Sequence, residues 1–314
     1  MIRIGISACL LGQEVRFDGG HKRDRFLTDI LGPHVEWIPV CPEVEMGLGT
    51  PRETLRLVRA AGGVRMITTR TSVDHTEGMT SWAQRRLEEL AGEDLSGYVL
   101  KKDSPSCGME RVKVYDGQGG MPAKNGRGMF AAALLTRFPL LPVEEEGRLG
   151  DARLRENFIE RVFAFRRLKN LFGQRWSVGA LVACHTAHKM ALLSHSTTAY
   201  QELGRLVARA RELPRAALGR EYEAAFMRTL ALPATTRRHT NVLTHMAGHL
   251  KKLVDPASRQ ELAGCITEYR RELVPLVVPL TLIRHYVRVH EVEYLKGQTY
   301  LDPHPRELML RNHV

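Results

Sequence analysis

The sequence predicts an open parallel-sheet α/β domain followed by an all-α domain. Three observations lead there. Short apolar runs alternate with helix-spaced segments through the first half, strand signals cease beyond about residue 150, and the excess positive charge lies wholly past that point.

The apolar runs are residues 2–7 (IRIGIS), 35–40 (VEWIPV), 64–69 (VRMITT) and 97–102 (GYVLKK), the pattern of buried parallel strands. Between them, residues 24–31 and 79–91 have helical spacing, with Thr80 or Ser81 as the expected N-cap of the second. Such alternation predicts a Rossmann-like sheet with helices on both faces. No G-x-G-x-x-G follows the first strand, which speaks against a dinucleotide-binding dehydrogenase. Residues 138–152 (FPLLPVEEEGRLGDA) read as a linker, with prolines, an acidic run and glycines. The expected domains are therefore 1–145 and 151–314. In the second, residues 154–171, 179–194, 198–210, 220–230, 241–253, 258–273 and 280–290 carry apolar residues at helical spacing. Pro214, Pro233, Pro256, Pro275 and Pro279 fall between these segments or at their starts.

Up to Gly150, 20 Lys and Arg balance 20 Asp and Glu; beyond it 26 basic residues face 15 acidic ones, so the net +11 belongs to the second half. Ten of the 13 histidines lie there too. A neutral half joined to a basic half suggests chemistry in one and polyanion binding in the other, against the plainer reading of a basic, soluble surface. No apolar run approaches the ~18 residues of a membrane span, and MIRIGISACLLG reads as a first core strand and not a signal peptide, so a cytoplasmic location is expected.

Five cysteines in such a chain argue against a disulfide framework. Cys9 and Cys41 each follow a predicted strand, and Cys107 lies five residues past another. Ligands of open parallel sheets bind beyond the carboxyl ends of the strands, so three distant thiols are expected at one sheet edge. Soft thiolates suit an iron–sulfur cluster, zinc or copper(I), while buried packing residues are the alternative. No C-x2-C pair of a closed zinc site is present. The flanking SACLLG, VCPEVEMGLGTPRE and LKKDSPSCG are rich in Gly, Pro, Ser and charge, unlike core positions. Cys184 and Cys265 sit within predicted helices and read as packing residues.

Four motifs carry a resemblance: Ser7 to Gly12 (SACLLG), Arg16 to Gly19 (RFDG), Cys41-Pro42-Glu43 with Gly49 to Arg52 (GTPR), and Ser104 to Gly108 (SPSCG). Together they resemble the thiouracil desulfidase (TudS-like) family over roughly the first 140 residues. Asn157 to Phe163 (NFIERVF), His185 to Lys189 (HTAHK), Pro275 to Thr281 (PLVVPLT) and Tyr300 to Pro305 (YLDPHP) are similar to the helical domain of its longer, RudS-type subfamily, desulfidases of 4-thiouridine in tRNA. One departure is Met46-Gly47-Leu48-Gly49, where stand-alone thiouracil enzymes carry a Gly-Gly-Leu-Pro run; it makes free thiouracil a less certain substrate.

The resemblance implies a 4Fe–4S cluster held by Cys9, Cys41 and Cys107 with one open iron, and hydrolytic, non-redox removal of sulfur as hydrosulfide. Glu43, two residues from a ligand, is the first candidate for general acid/base, or else a first-turn helix carboxylate. Ser104 and Ser106 either donate to substrate or shape a turn around Pro105; Asp18 either orients the pyrimidine or forms an Asp-Gly turn. Arg52, Lys101 and Lys102 are open between substrate contacts and acidic partners. For tRNA, the basic clusters include Arg166 and Arg167, Arg237 and Arg238, Lys251 and Lys252, and Arg284. His245 and His249, spaced i, i+4, read as polar or RNA-facing residues ahead of metal ligands. The rivals are a desulfidase of free thiouracil or thiouridine, and a non-catalytic, cluster-bearing redox sensor that binds nucleic acid.

Overall fold

A computed structural model describes residues 2–116 and 121–313. The chain divides into two compact units, Met1–Asp151 and Ala152–Val314.

In chain order the strands of the first unit are β1 (Ile2–Ser7), β2 (Val35–Val40), β3 (Leu55–Ala60), β4 (Gly63–Thr68), β5 (Leu95–Leu100), β6 (Val112–Tyr115), β7 (Ala123–Gly126) and β8 (Val143–Glu145). Its helices are α1 (Pro42–Glu45), α2 (Thr76–Gly92) and α3 (Met129–Arg137). The main sheet is parallel, in the order β2-β1-β5-β8. β5 is buried along its whole length, Ser96 included, as a central strand covered on both faces is. In β1, Gly5 lies opposite Tyr98 of β5. A Cβ at Gly5 would stand 2.2 Å from Tyr98 Cδ2, so only glycine lets the ring cross the strand. Trp82 of α2 and Phe130 of α3 complete an aromatic layer over this face.

Three expectations need correction. Residues 64–69 do not join the main sheet: β4 belongs to a second, mixed sheet ordered β4-β3-β6-β7. β4 turns back antiparallel on β3 across Ala61 and Gly62, its first half is exposed, and only β3 reaches a distant partner, β6, so apolar patterning alone does not say which sheet it joins. Helix α2 starts at Thr76 with His75 as N-cap, not at Thr80 or Ser81; Thr80 Oγ1 instead bonds back to the Thr76 carbonyl at 2.7 Å. The acidic run read as linker is structural. Val143–Glu145 is the last strand, in which Glu144 accepts from Arg148 at 2.6 Å and Glu145 from the Met109 amide at 2.6 Å.

The second unit is helical: α4 (Ala152–Phe172), α5 (Val178–His195), α6 (Thr197–Ala208), α7 (Arg215–Ala231), α8 (Thr236–Leu250), α9 (Pro256–Arg270), α10 (Val277–Val289) and the short α11 (Glu293–Lys296). Ser177, Ser196, Thr235 and Asp255 cap α5, α6, α8 and α9 through side-chain oxygens. Val242, Leu243, Met246, Leu280 and Ile283 are fully buried at its centre. The C-terminal segment folds back on the bundle: Arg311 is buried and bonds Glu156 at 2.9 Å. No described helix is long and apolar enough to cross a membrane.

Candidate active site

The strand order β2-β1-β5 brings three strand ends side by side, and each is followed by a cysteine. Cys9 sits in the 3₁₀ turn Ala8–Leu11 after β1. Cys41 is the N-cap of α1, directly after β2. Cys107 lies in the loop after β5. Gly12, at φ 93°, turns the chain away behind Cys9, a conformation a side chain would strain. All three thiols line one cavity of about 360 Å³, with Glu43, Arg52, Lys101, Lys102 and Ser104.

Cys9 and Cys107 are buried and Cys41 is half-buried. Burial pushes the Cys9 thiol up to about 11, against the pull of Lys101, and pushes Cys41 and Cys107 up as well. Among the described residues no three His, Cys, Asp or Glu are grouped to hold a single metal ion. The three thiols lie close enough to act on one another electrostatically.

Glu43 is anchored through both oxygens. Oε2 accepts from Arg52 Nε at 3.0 Å, and Oε1 accepts from the Ser106 hydroxyl at 2.6 Å. Arg52 therefore has an acidic partner, and it also donates to the Gly49 carbonyl at 2.9 Å. Ser106 is fully buried behind Glu43. The Ser104 hydroxyl accepts from the amides of Ser106 and Cys107 at 3.2 and 3.1 Å, closing the turn that presents Cys107. Lys101 Nζ pairs with Glu146, while its amide donates to Ser7 Oγ at 3.0 Å. The Lys102 side chain is exposed, and Asp18 lies off the cavity in a turn, accepting from the Gly20 amide at 3.1 Å.

Sequence reasoning passed over Arg16, Phe17 and Lys22, which also line the cavity. The Arg16 guanidinium stands 5.2 Å from the centre of the Phe17 ring. Two of them belong to the RFDG motif, which was read only for its aspartate. Glu146 was missed because it sits in the apparent linker.

In the second unit, Arg237, Lys251 and Lys252 are exposed. Arg166 and Arg238 are half-buried. Arg167 donates to the Pro303 carbonyl at 2.6 Å, and Arg284 bonds the Leu301 carbonyl and pairs with Asp302 at 3.5 Å, so both hold the C-terminal segment. His245 and His249 are exposed on α8, whereas His185 and His188 are buried. Cys184 and Cys265 are half-buried on α5 and α9.

Residues 4–146, which contain every cysteine of this cavity, match the family model of 2-thiouracil desulfurase. The chain belongs to the 2-thiouracil desulfurase family. Residues 189–305 match a further model, described as a protein of unknown function (DUF1722). The chain is 34% identical over 161 residues to the uncharacterized protein YbgA of Escherichia coli (strain K12), covering 51% of this chain and 95% of that protein. It is 30% identical over 134 residues to the uncharacterized protein YbbK of Bacillus subtilis (strain 168), covering 41% of this chain and 87% of that protein. A solved structure, titled a [4Fe-4S]-dependent thiouracil desulfidase TudS, shares 31% identity, covering 48% of this chain and 94% of its own, with a TM-score of 0.39.

Proposed function

We propose that this protein is an iron–sulfur-dependent desulfidase that converts 4-thiouridine in tRNA to uridine. The observation that carries the reading is three cysteines on one cavity with an anchored carboxylate, Glu43, on the same wall. The donor set fits a cluster: three soft thiols reach one cavity from three strand ends, and among the described residues its lining holds no fourth Cys and no His to close a structural zinc site. Cys9, Cys41 and Cys107 would hold a 4Fe–4S cluster, which when bound supplies an open iron acting as a Lewis acid towards sulfur.

The chain's own residues supply the rest. Arg52 and Ser106 fix the Glu43 carboxylate so that it accepts a proton from an attacking water. A C–O bond forms at the ring carbon, the C–S bond breaks, and sulfur leaves as hydrosulfide. No electrons are exchanged. Lys101, close enough to Cys9 to favour its thiolate, and Lys102 place positive charge where the sulfur becomes anionic. The basic excess of the second unit, with exposed Arg237, Lys251 and Lys252, supports tRNA as the macromolecule held. The family's name favours a second reading, free 2-thiouracil as substrate.

The test is anaerobic purification, iron and sulfide analysis, and incubation with thiolated tRNA and with free thiouracil. Iron-dependent loss of the 4-thiouridine absorbance, abolished by Cys9→Ala, Cys41→Ala or Cys107→Ala, is expected. Glu43→Gln should keep its iron but lower kcat by roughly 10²–10⁴-fold. Turnover of free thiouracil alone selects the second reading, and zinc in place of iron overturns the mechanism.

A further inference from the structure

Glu43 faces the cavity, but the next carboxylate along α1 does something different. Glu45 does not line the cavity. It folds back on the N-cap, where its Oε1 accepts from the Cys41 amide at 2.9 Å. Its other oxygen, Oε2, stands 3.1 Å from Arg86 Nε of α2. The side chain of Arg86 is 19% exposed and that of Glu45 32% exposed, so this ion pair is only partly screened. Arg86 also reaches Glu89 at 2.7 Å, which ties it to its own helix.

Two buried donors beside this pair lack hydrogen bonds. Arg86 Nε is off the hydrogen-bond direction to Glu45 despite its closeness. The Tyr98 hydroxyl has no partner at all, with the side chain wholly buried. Burial pushes the Tyr98 phenol well above its ordinary range, and the Cys107 thiol and Glu45 raise it further, so it stays a neutral donor among these groups. Unsatisfied buried donors cost stability unless a partner arrives.

We propose that Glu45 and Arg86 are positioning residues for the cluster. Glu45 holds the Cys41 backbone in the geometry that presents its sulfur, and Arg86 offsets the carboxylate charge so that it does not oppose the anionic cluster. Charge and hydrogen bonding around the thiolates set retention and redox properties of such centres. The inference rests on the iron–sulfur reading above, and its test separates the two.

Wild type, Glu45→Gln, Glu45→Ala and Arg86→Met are prepared anaerobically. Each is assayed for iron and sulfide, rate of iron release to a chelator, and midpoint potential of the cluster by redox titration with electron paramagnetic resonance. Glu45→Ala, which removes both hydrogen bond and charge, should release iron about 10-fold faster or more. Glu45→Gln keeps an acceptor for the Cys41 amide, so it should retain iron nearly as wild type while its potential moves positive. Arg86→Met should release iron faster and move the potential negative. A purely structural role for the pair would lower the melting temperature without moving the potential in opposite directions. Unchanged potentials in Glu45→Gln and Arg86→Met overturn this inference alone. Absence of iron from the wild type overturns the cluster reading itself.

Discussion

Acidification from pH 7 to pH 5 should destabilise the helical unit by several kcal/mol, because burial keeps four of its histidines as neutral rings. His239 bonds the Tyr300 hydroxyl at 2.7 Å, His185 bonds the Tyr222 hydroxyl at 3.2 Å, and His188 donates to the Cys184 carbonyl at 2.7 Å. With that bond made, His188 Nε2 is buried against Phe226 with no partner, so a second proton there would find no acceptor. Burial lowers His185, His188 and His304 from the ordinary 6.5 to about 4, and His239 to about 3. The folded values lie below the unfolded one, so the unfolded chain takes up protons first. The associated stability is fully present above pH 6.5 and is lost as pH falls towards the folded values. Between pH 7 and 5 each ring contributes a loss of about 2 kcal/mol, and four together about 8 kcal/mol, comparable to the whole stability of an ordinary domain. Glu156 works the other way, since burial raises its carboxyl and acid relieves it; the carboxyl of Glu160 is held low despite burial by His195 and Arg311, and its protonation costs stability only at lower pH. Calorimetry at constant ionic strength should show the helical transition falling by roughly 10–20 °C. His239→Gln should flatten the dependence by about a quarter, the share of one ring in four. A transition unmoved between pH 7 and 5 would refute the reasoning.

Gly5→Ala forces a Cβ to 2.2 Å from Tyr98 and should cost about 1–3 kcal/mol in urea denaturation, and much less than that when introduced into a Tyr98→Ala background. Arg311→Leu strands the buried carboxylate of Glu156 and should cost about 3–5 kcal/mol, whereas Arg311→Leu with Glu156→Leu should restore most of it. If tRNA is held through phosphates, replacing Lys251 and Lys252 by Ala should reduce the slope of log Kd against log salt by about one per lost contact. An unchanged slope removes both lysines from the interface.

The sequence by itself determined the fold class, because apolar periodicity is a local property. Period-3.6 runs punctuated by prolines mark the helical unit, and short apolar runs such as Tyr98 to Leu100 in β5 mark buried strands. It also pointed to three cysteines in loops rich in Gly, Pro and Ser. What only the tertiary structure decided is pairing over distance. That β4 leaves the main sheet depends on its strand partner β3 pairing with the distant β6, and that Glu144 and Glu145 are buried in a strand although they look like a linker depends on Arg148 and the Met109 amide. Glu43 is legible as a carboxylate near Cys41, but its orientation is set by Arg52, nine residues away, and Ser106, sixty-three away. Likewise Arg167 and Arg284 look like surface cations in sequence and are spent on carbonyls of the C-terminal segment. Charge is read residue by residue; whether it meets water, a carboxylate or a backbone oxygen is decided by which segments the fold brings together.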